Sequence, residues 1–174
     1  MESIRMVDLV GQYAKIKEEV KDEINKVLDS ATFINGPAVS DFQSELEKYL
    51  SVKHVIPCAN GTDALQVIMM AYDFPKGAEV IVPSFTYVAT VEVIALLGLK
   101  PVFVEVYPDT FNIDIEDLES KITGQTVAIV PVHLYGQCAD MERLMRVAKK
   151  HDLKVFEDTA QAIGADYKFS DGNT

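Results

Sequence analysis

Cysteine is scarce in this chain: Cys58 and Cys138 are the only two, far apart, and neither belongs to a CxxC pair. Such a pair builds neither a disulfide framework nor a zinc site. The apolar residues around both predict buried free thiols, and no metal site is expected. Long apolar runs are missing too. The longest, Val93 to Leu99, falls far short of the roughly 20 residues that cross a bilayer. Residues 1–13 are mixed and polar, with no apolar core and no cleavage pattern, so no secretory signal is expected and the cytoplasm is the default compartment. Positive charge is in short supply: 16 Lys and Arg face 27 Asp and Glu, for a net charge of −11. An acidic chain repels phosphate backbones, which disfavours general nucleic-acid binding. No cluster of Lys and Arg reads as a membrane-surface patch. A local pocket for a single phosphate stays open. Internal repeats, low-complexity tracts and linkers are absent.

What is present is ordinary for a globular protein: 48% hydrophobic and 25% charged residues. Disorder over most of the chain is excluded by that apolar content. A length of 174 residues is enough for one domain with a core.

Ile16, Val20, Ile24, Val27 and Leu28 fall on one stripe at helical spacing. Asn35-Gly36-Pro37 then breaks the pattern with turn chemistry, and a short amphipathic helix carrying Phe42, Leu46, Tyr49 and Leu50 follows. From residue 54 the rhythm becomes strand, loop, helix. Strands are predicted at 54–59, 79–82, 100–106, 126–132 and 153–156, with helices over 62–72 and 86–97 and after Asp114 and Asp140. Asp114 with Asp117 three residues on reads as a helix start. Short strands rich in Val and Ile, alternating with helices, predict an α/β fold: three αβα layers around a mostly parallel sheet. Ligands of such sheets sit at the carboxyl ends of strands.

Four loops at those ends could carry chemistry. Asn60-Gly61-Thr62-Asp63 opens a helix, where a glycine and free N–H groups suit an anion, although an ordinary capped helix start reads the same way. It is neither a Walker A loop nor GxGxxG. In Pro83-Ser84-Phe85-Thr86-Tyr87 the two rings could face a planar ligand or pack under the next helix. His133 could act as an acid or base, or simply be satisfied by backbone partners. Asp158, at the end of a buried strand, calls for a partner. A protonated ring nitrogen such as that of pyridoxal phosphate is one, a local turn another. Gln161 could donate to the phenolic oxygen of the same ring, or stand exposed.

The order and spacing of five stretches resemble the DegT/DnrJ/EryC1/StrS sugar aminotransferases, a branch of the fold-type I pyridoxal-phosphate enzymes. They are Phe33-Ile34-Asn35-Gly36-Pro37, Ala59-Asn60-Gly61-Thr62-Asp63-Ala64-Leu65, Pro83-Ser84-Phe85-Thr86-Tyr87-Val88-Ala89-Thr90, Pro131-Val132-His133-Leu134-Tyr135-Gly136-Gln137 and Glu157-Asp158-Thr159-Ala160-Gln161-Ala162. The resemblance spans residues 7–167. It implies an N-terminal helix and loop over 1–40 and, over 41–174, the first part of an aspartate aminotransferase-like large domain. It also implies roles: Gly61, Thr62 and Asp63 at the cofactor phosphate, Tyr87 stacked on the ring, Asp158 on the ring nitrogen and Gln161 on the phenolic oxygen. The lysine that carries the cofactor is expected beyond Thr174, in a Ser-Lys-Asn-like motif, and Lys168 lies too close to Asp158 to take its place. The chain is therefore expected to be part of a longer protein.

The activity implied is transamination of a nucleotide-linked keto sugar by a homodimer, with glutamate or glutamine as amino donor, in amino-sugar or polysaccharide biosynthesis. A pyridoxal-phosphate sugar dehydratase of the same family and a non-catalytic truncated module are the alternatives. A nicotinamide oxidoreductase would need a glycine-rich first turn, which is absent.

Overall fold

A computed structural model describes residues 7–173. The expectation of no secretory signal rests partly on residues 1–6, outside that range. The chain divides into two compact units, residues 1–57 and 58–174.

The first unit holds helices α1 (Leu9–Ser30) and α2 (Pro37–Leu50). Asp8 starts α1 by accepting from the Gly11 N–H at 3.0 Å. Pro37 stands at the first position of α2, where its missing N–H costs nothing. Gly36 is required before it, because a Cβ there would lie 2.3 Å from the Thr32 carbonyl oxygen. Ile16, Ile24 and Leu28 lie on the predicted stripe, yet all three are exposed. Residue 40, the expected domain boundary, falls inside α2. The strand predicted at 54–59 does not form. Residues 54–58 adopt no regular element, and Pro57 within them has no N–H for a ladder. The expectation of buried thiols fails with it: Cys58, in that segment, is exposed, and Cys138 is only half-buried.

In the second unit the order is α3 (Gly61–Tyr72), β1 (Glu79–Pro83), α4 (Ala89–Leu96), β2 (Lys100–Val104), α5 (Ile115–Ser120), β3 (Thr126–Ile129), a short 3₁₀ turn (Leu134–Gly136), α6 (Met141–Lys150) and β4 (Lys154–Val155). The four strands form one parallel sheet in the order β2-β1-β3-β4. Side-chain alternation along the strands sorts the core into two layers. Ile81, Val104 and Ile129 join Ile115, Leu118, Leu144 and Val147 of α5 and α6 on one face. Val80, Val82, Ala128 and Val130 join Met69 of α3 and Val93 and Ile94 of α4 on the other. Each buried Val, Leu or Ile contributes about 1.5–3 kcal/mol relative to exposure. The predicted αβα layering is thus realised in this unit.

Register pairs Glu79 with Lys100 at the amino end of the sheet, and their side chains meet at 2.8 Å. Glu79 is buried and also accepts from Thr123 Oγ1 at 2.5 Å. The Lys100 hydrogen bond, then that of Thr123, holds its carboxyl below the ordinary value. Asp114 caps α5 by accepting from Glu116 N at 2.9 Å and Asp117 N at 3.1 Å. Asp117 does not reach back to Asp114. Its carboxylate takes the Glu105 N–H at 2.7 Å and Lys121 Nζ at 2.8 Å instead.

Candidate functional site at the carboxyl ends of the strands

Backbone pairing between the third and fourth strands runs past their regular portions. Phe156 N donates to Ile129 O at 3.0 Å, Asp158 N to Pro131 O at 2.9 Å and His133 N to Asp158 O at 3.1 Å. That ladder carries Asp158 to the carboxyl edge of the sheet beside His133. The Asp158 side chain is half-buried and held on both oxygens. Oδ2 accepts from Thr90 Oγ1 at 2.8 Å, and Oδ1 from Ala160 N at 3.1 Å. The carboxylate is thus fixed in orientation by the first turn of α4 and by its own loop.

His133 is buried, at 1% exposure. Its Nδ1 accepts from the Ala139 N–H at 3.1 Å, so the ring proton sits on Nε2 and faces Glu157 Oε2 at 2.9 Å. Both nitrogens are occupied by protein, which makes His133 a brace between loops rather than an exposed acid or base. Burial, then the charges of Glu157 and Asp166, push the Cys138 thiol up, which disfavours its thiolate.

After His133 the chain turns through Tyr135 (φ 57°) and Gly136 (φ 81°), both left-handed. The turn aims the Tyr135 N–H at Gln161 Oε1, 2.8 Å away. Gln161 is therefore anchored through its oxygen, and its Nε2 donors remain for a ligand. The Tyr135 ring meets Phe111 edge-on at 5.8 Å, and Phe111 meets Phe85 at 5.3 Å. Of the two rings after β1, Phe85 is absorbed by that chain, while Tyr87 is 76% exposed and does not pack under the next helix. Just before it, Thr86 Oγ1 is buried with no hydrogen-bond partner among the described residues.

At the start of α3, Asn60 accepts from Asp63 N at 2.9 Å through its side chain and from Ala64 N at 3.1 Å through its backbone. Its Nδ2 also engages the Asp63 carboxylate at 3.1 Å. The N–H groups of Gly61 and Thr62 lie in the first turn of α3, where a helix has no intrahelical acceptor to offer them. Nothing lies within 4 Å of the space a Gly61 Cβ would occupy. An anion at this helix end would meet those two N–H groups and the positive end of the helix dipole. Asp63, by contrast, is turned to capping.

Thr90, Asp158, His133 and Glu157 are joined by direct contacts, as are Tyr135 and Gln161. Gly61 and Thr62 at the start of α3, and Tyr87 in the loop after β1, contribute separate groups. Neither Thr90 nor Glu157 stands out as a site residue in the sequence. Thr90, three residues after Tyr87 on the first turn of a helix, has the one legible signal: a hydroxyl on an otherwise apolar face. The donor set suits a flat, phosphorylated pyridine: an N–H cradle for the phosphate, a carboxylate for the ring nitrogen and an amide donor. Among the described residues no group of three or more His, Cys, Asp or Glu is placed to hold a metal ion, and no helix is long and apolar enough to cross a membrane.

Residues 14–170 match the model of the DegT/DnrJ/EryC1/StrS aminotransferase family. The UDP-2-acetamido-2-deoxy-3-oxo-D-glucuronate aminotransferase of Pseudomonas aeruginosa is 48% identical over 95% of this chain and 46% of its own length. A family aminotransferase structure from Brucella abortus superposes with a TM-score of 0.88 at 43% identity, over 92% of this chain and 45% of that one. NtdA from Bacillus subtilis, solved with bound cofactor PMP, gives a TM-score of 0.83 at 36% identity, over 86% of this chain and 34% of that one. The chain thus spans less than half the length of these relatives.

Proposed function

Because the chain belongs to the DegT/DnrJ/EryC1/StrS aminotransferase family, we propose that it holds pyridoxal phosphate within a protein that transfers an amino group from glutamate or glutamine to a nucleotide-linked keto sugar. The observation that carries this reading is the Asp158 carboxylate, fixed on both oxygens at the edge of the sheet in a chain of this family. When bound, the cofactor supplies an electron sink for the carbon whose C–H bond is broken. Asp158 holds the proton on the ring nitrogen. Gly61 and Thr62 take the phosphate through their N–H groups, with Asp63 closing the helix cap behind them. Tyr87, exposed after β1, would offer its ring to the cofactor face. Gln161, anchored on Tyr135, donates to the phenolic oxygen.

The Pseudomonas relative, an aminotransferase of a UDP-linked 3-oxo sugar, supports a nucleotide keto sugar as acceptor. We also read the protein as a cytoplasmic homodimer, in keeping with the exposed apolar residues of α1 and α2. The test is label transfer. Given pyridoxal phosphate, ¹⁵N-glutamate or ¹⁵N-glutamine, and a UDP-linked 3-keto sugar, the complete protein should place the label on the sugar, read by mass spectrometry. Loss of a sugar hydroxyl without label would make it a dehydratase. No change in a panel of nucleotide keto sugars would refute the reading.

A further inference from the structure

Thr90 is buried, at 1% exposure, and its hydroxyl donates to Asp158 Oδ2 at 2.8 Å. The two residues lie 68 positions apart. Thr90 sits in the first turn of α4, the helix that follows β1 and the Tyr87 loop, and its own N–H reaches Tyr87 O at 3.3 Å. Asp158 follows β4. In the sheet β3 lies between those two strands, so no backbone ladder links their ends. The Thr90 side chain makes the link. One residue thereby touches the backbone that carries the Tyr87 ring and the carboxylate at Asp158. With Oδ1 taken by Ala160 N, the hydroxyl on Oδ2 fixes the remaining rotation of the carboxylate about its χ2 bond.

We propose that Thr90 is a positioning residue for the ring-nitrogen contact: it aims the Asp158 carboxylate and keeps it in register with Tyr87, so that a protonated pyridine meets an acceptor already in place. Pre-set acceptors bind more tightly because less orientation is lost on binding. The inference rests on the cofactor reading above and adds to it a residue that need not touch the cofactor.

The experiment compares two probes by isothermal titration calorimetry on the complete protein freed of cofactor: pyridoxamine 5′-phosphate and its 1-deaza analogue, which lacks the ring nitrogen. Thr90→Val keeps the shape and removes the hydroxyl. It should weaken pyridoxamine phosphate about tenfold, the scale of one hydrogen bond to a charged group. The deaza analogue should change less than about twofold, since it makes no ring-nitrogen contact for Thr90 to prepare. Thr90→Ser should restore the wild-type preference. If Thr90→Val is unfolded by far-UV circular dichroism, Thr90→Ala takes its place in the same comparison. Equal losses for both probes would mean a purely structural role and overturn the proposal, as would wild-type binding by the variant. A wild-type protein that prefers the pyridine probe, with a variant that prefers it by the same factor, sinks this inference alone. A wild-type chain that binds neither probe, or both equally, sinks the cofactor reading along with it.

Discussion

Replacing Asp158 by Asn separates the two jobs its carboxylate could have, holding the loops and meeting a cation. The native side chain accepts from Thr90 Oγ1 at 2.8 Å and Ala160 N at 3.1 Å. An asparagine can keep both contacts. Its Oδ1 takes the Ala160 N–H, and its Nδ2 faces Thr90, whose hydroxyl rotates from donor to acceptor. What is lost is the charge assistance, which takes such a bond from about 1.5–3 kcal/mol to about 0.5–1.5 kcal/mol. Asp158 is half-buried and the Ala160 end is exposed, so the expected cost to folding is about 1 kcal/mol. Asp158→Ala is different. The Ala160 N–H can turn to water, but the buried Thr90 hydroxyl loses its acceptor, and the cost rises to about 2–3 kcal/mol. Urea unfolding followed by far-UV circular dichroism measures both. Binding of pyridoxamine phosphate should behave in the opposite proportion. Asp158→Asn, with no charge to offer the ring nitrogen, should lose about 10- to 100-fold in Kd despite its near-native stability. Equal destabilisation by Asn and Ala would show that the charge itself secures the loops. Undiminished cofactor binding by Asp158→Asn would refute the ring-nitrogen role.

Three other outcomes are expected. Glu79, whose carboxyl is held low first by Lys100 and then by Thr123, has a lower pKa folded than unfolded, so its contribution is complete above the ordinary value of 4.5 and fades as pH falls through the folded value; the stability gap between wild type and Glu79→Gln, read from urea midpoints between about pH 7 and pH 3, should close toward the acid end, and a gap that persists unchanged would remove the charge from the explanation. Gly136→Ala should cost about 1–2 kcal/mol from its left-handed backbone alone, because a Cβ there meets nothing nearer than Gln161 O at 3.7 Å; a thermal midpoint equal to wild type would mean the turn has another conformation. Asp114→Ala removes the acceptor for Glu116 N and Asp117 N and should lower stability by about 1 kcal/mol in the same unfolding assay, whereas no change would show the first turn of α5 to be held by its packing alone.

Much of the second unit was legible from the sequence because its signals are local. Val80, Ile81 and Val82 form a short apolar run, and both faces of the sheet bury them, as a parallel strand demands. Asp114 and Asp140 announced their helices by capping chemistry that operates within three residues. The failures are instructive for the same reason. Residues 54–59 had strand-like letters, but Pro57 interrupts the donors a ladder needs. Asp117 had the spacing of a reciprocal cap, but Lys121 and Glu105 N compete for its carboxylate, and only the folded packing brings Glu105 near. Of the site residues, the helix start at Gly61 and the strand-end position of Asp158 could be read directly. The pairing of Asp158 with Thr90 and of Gln161 with the Tyr135 N–H could not, since each joins loops far apart in sequence.

The strand order explains why those unread contacts are the ones that matter. Placing β3 between β1 and β4 puts the loop after β3 in the middle of the carboxyl edge, with the Tyr87 loop on one side and the Asp158 loop on the other. Backbone bonds secure only neighbours, so the middle loop is tied to Asp158 through His133 N and Pro131 O. The outer two loops can be brought into register only by side chains long enough to cross, or by a ligand. Thr90 does the first. A flat ring lying on Tyr87 with its nitrogen on Asp158 would do the second, and would use the same span. A site whose two halves are already tied at the right separation loses less freedom when such a ring binds, and that advantage comes from a threonine whose partner lies 68 positions away in the sequence.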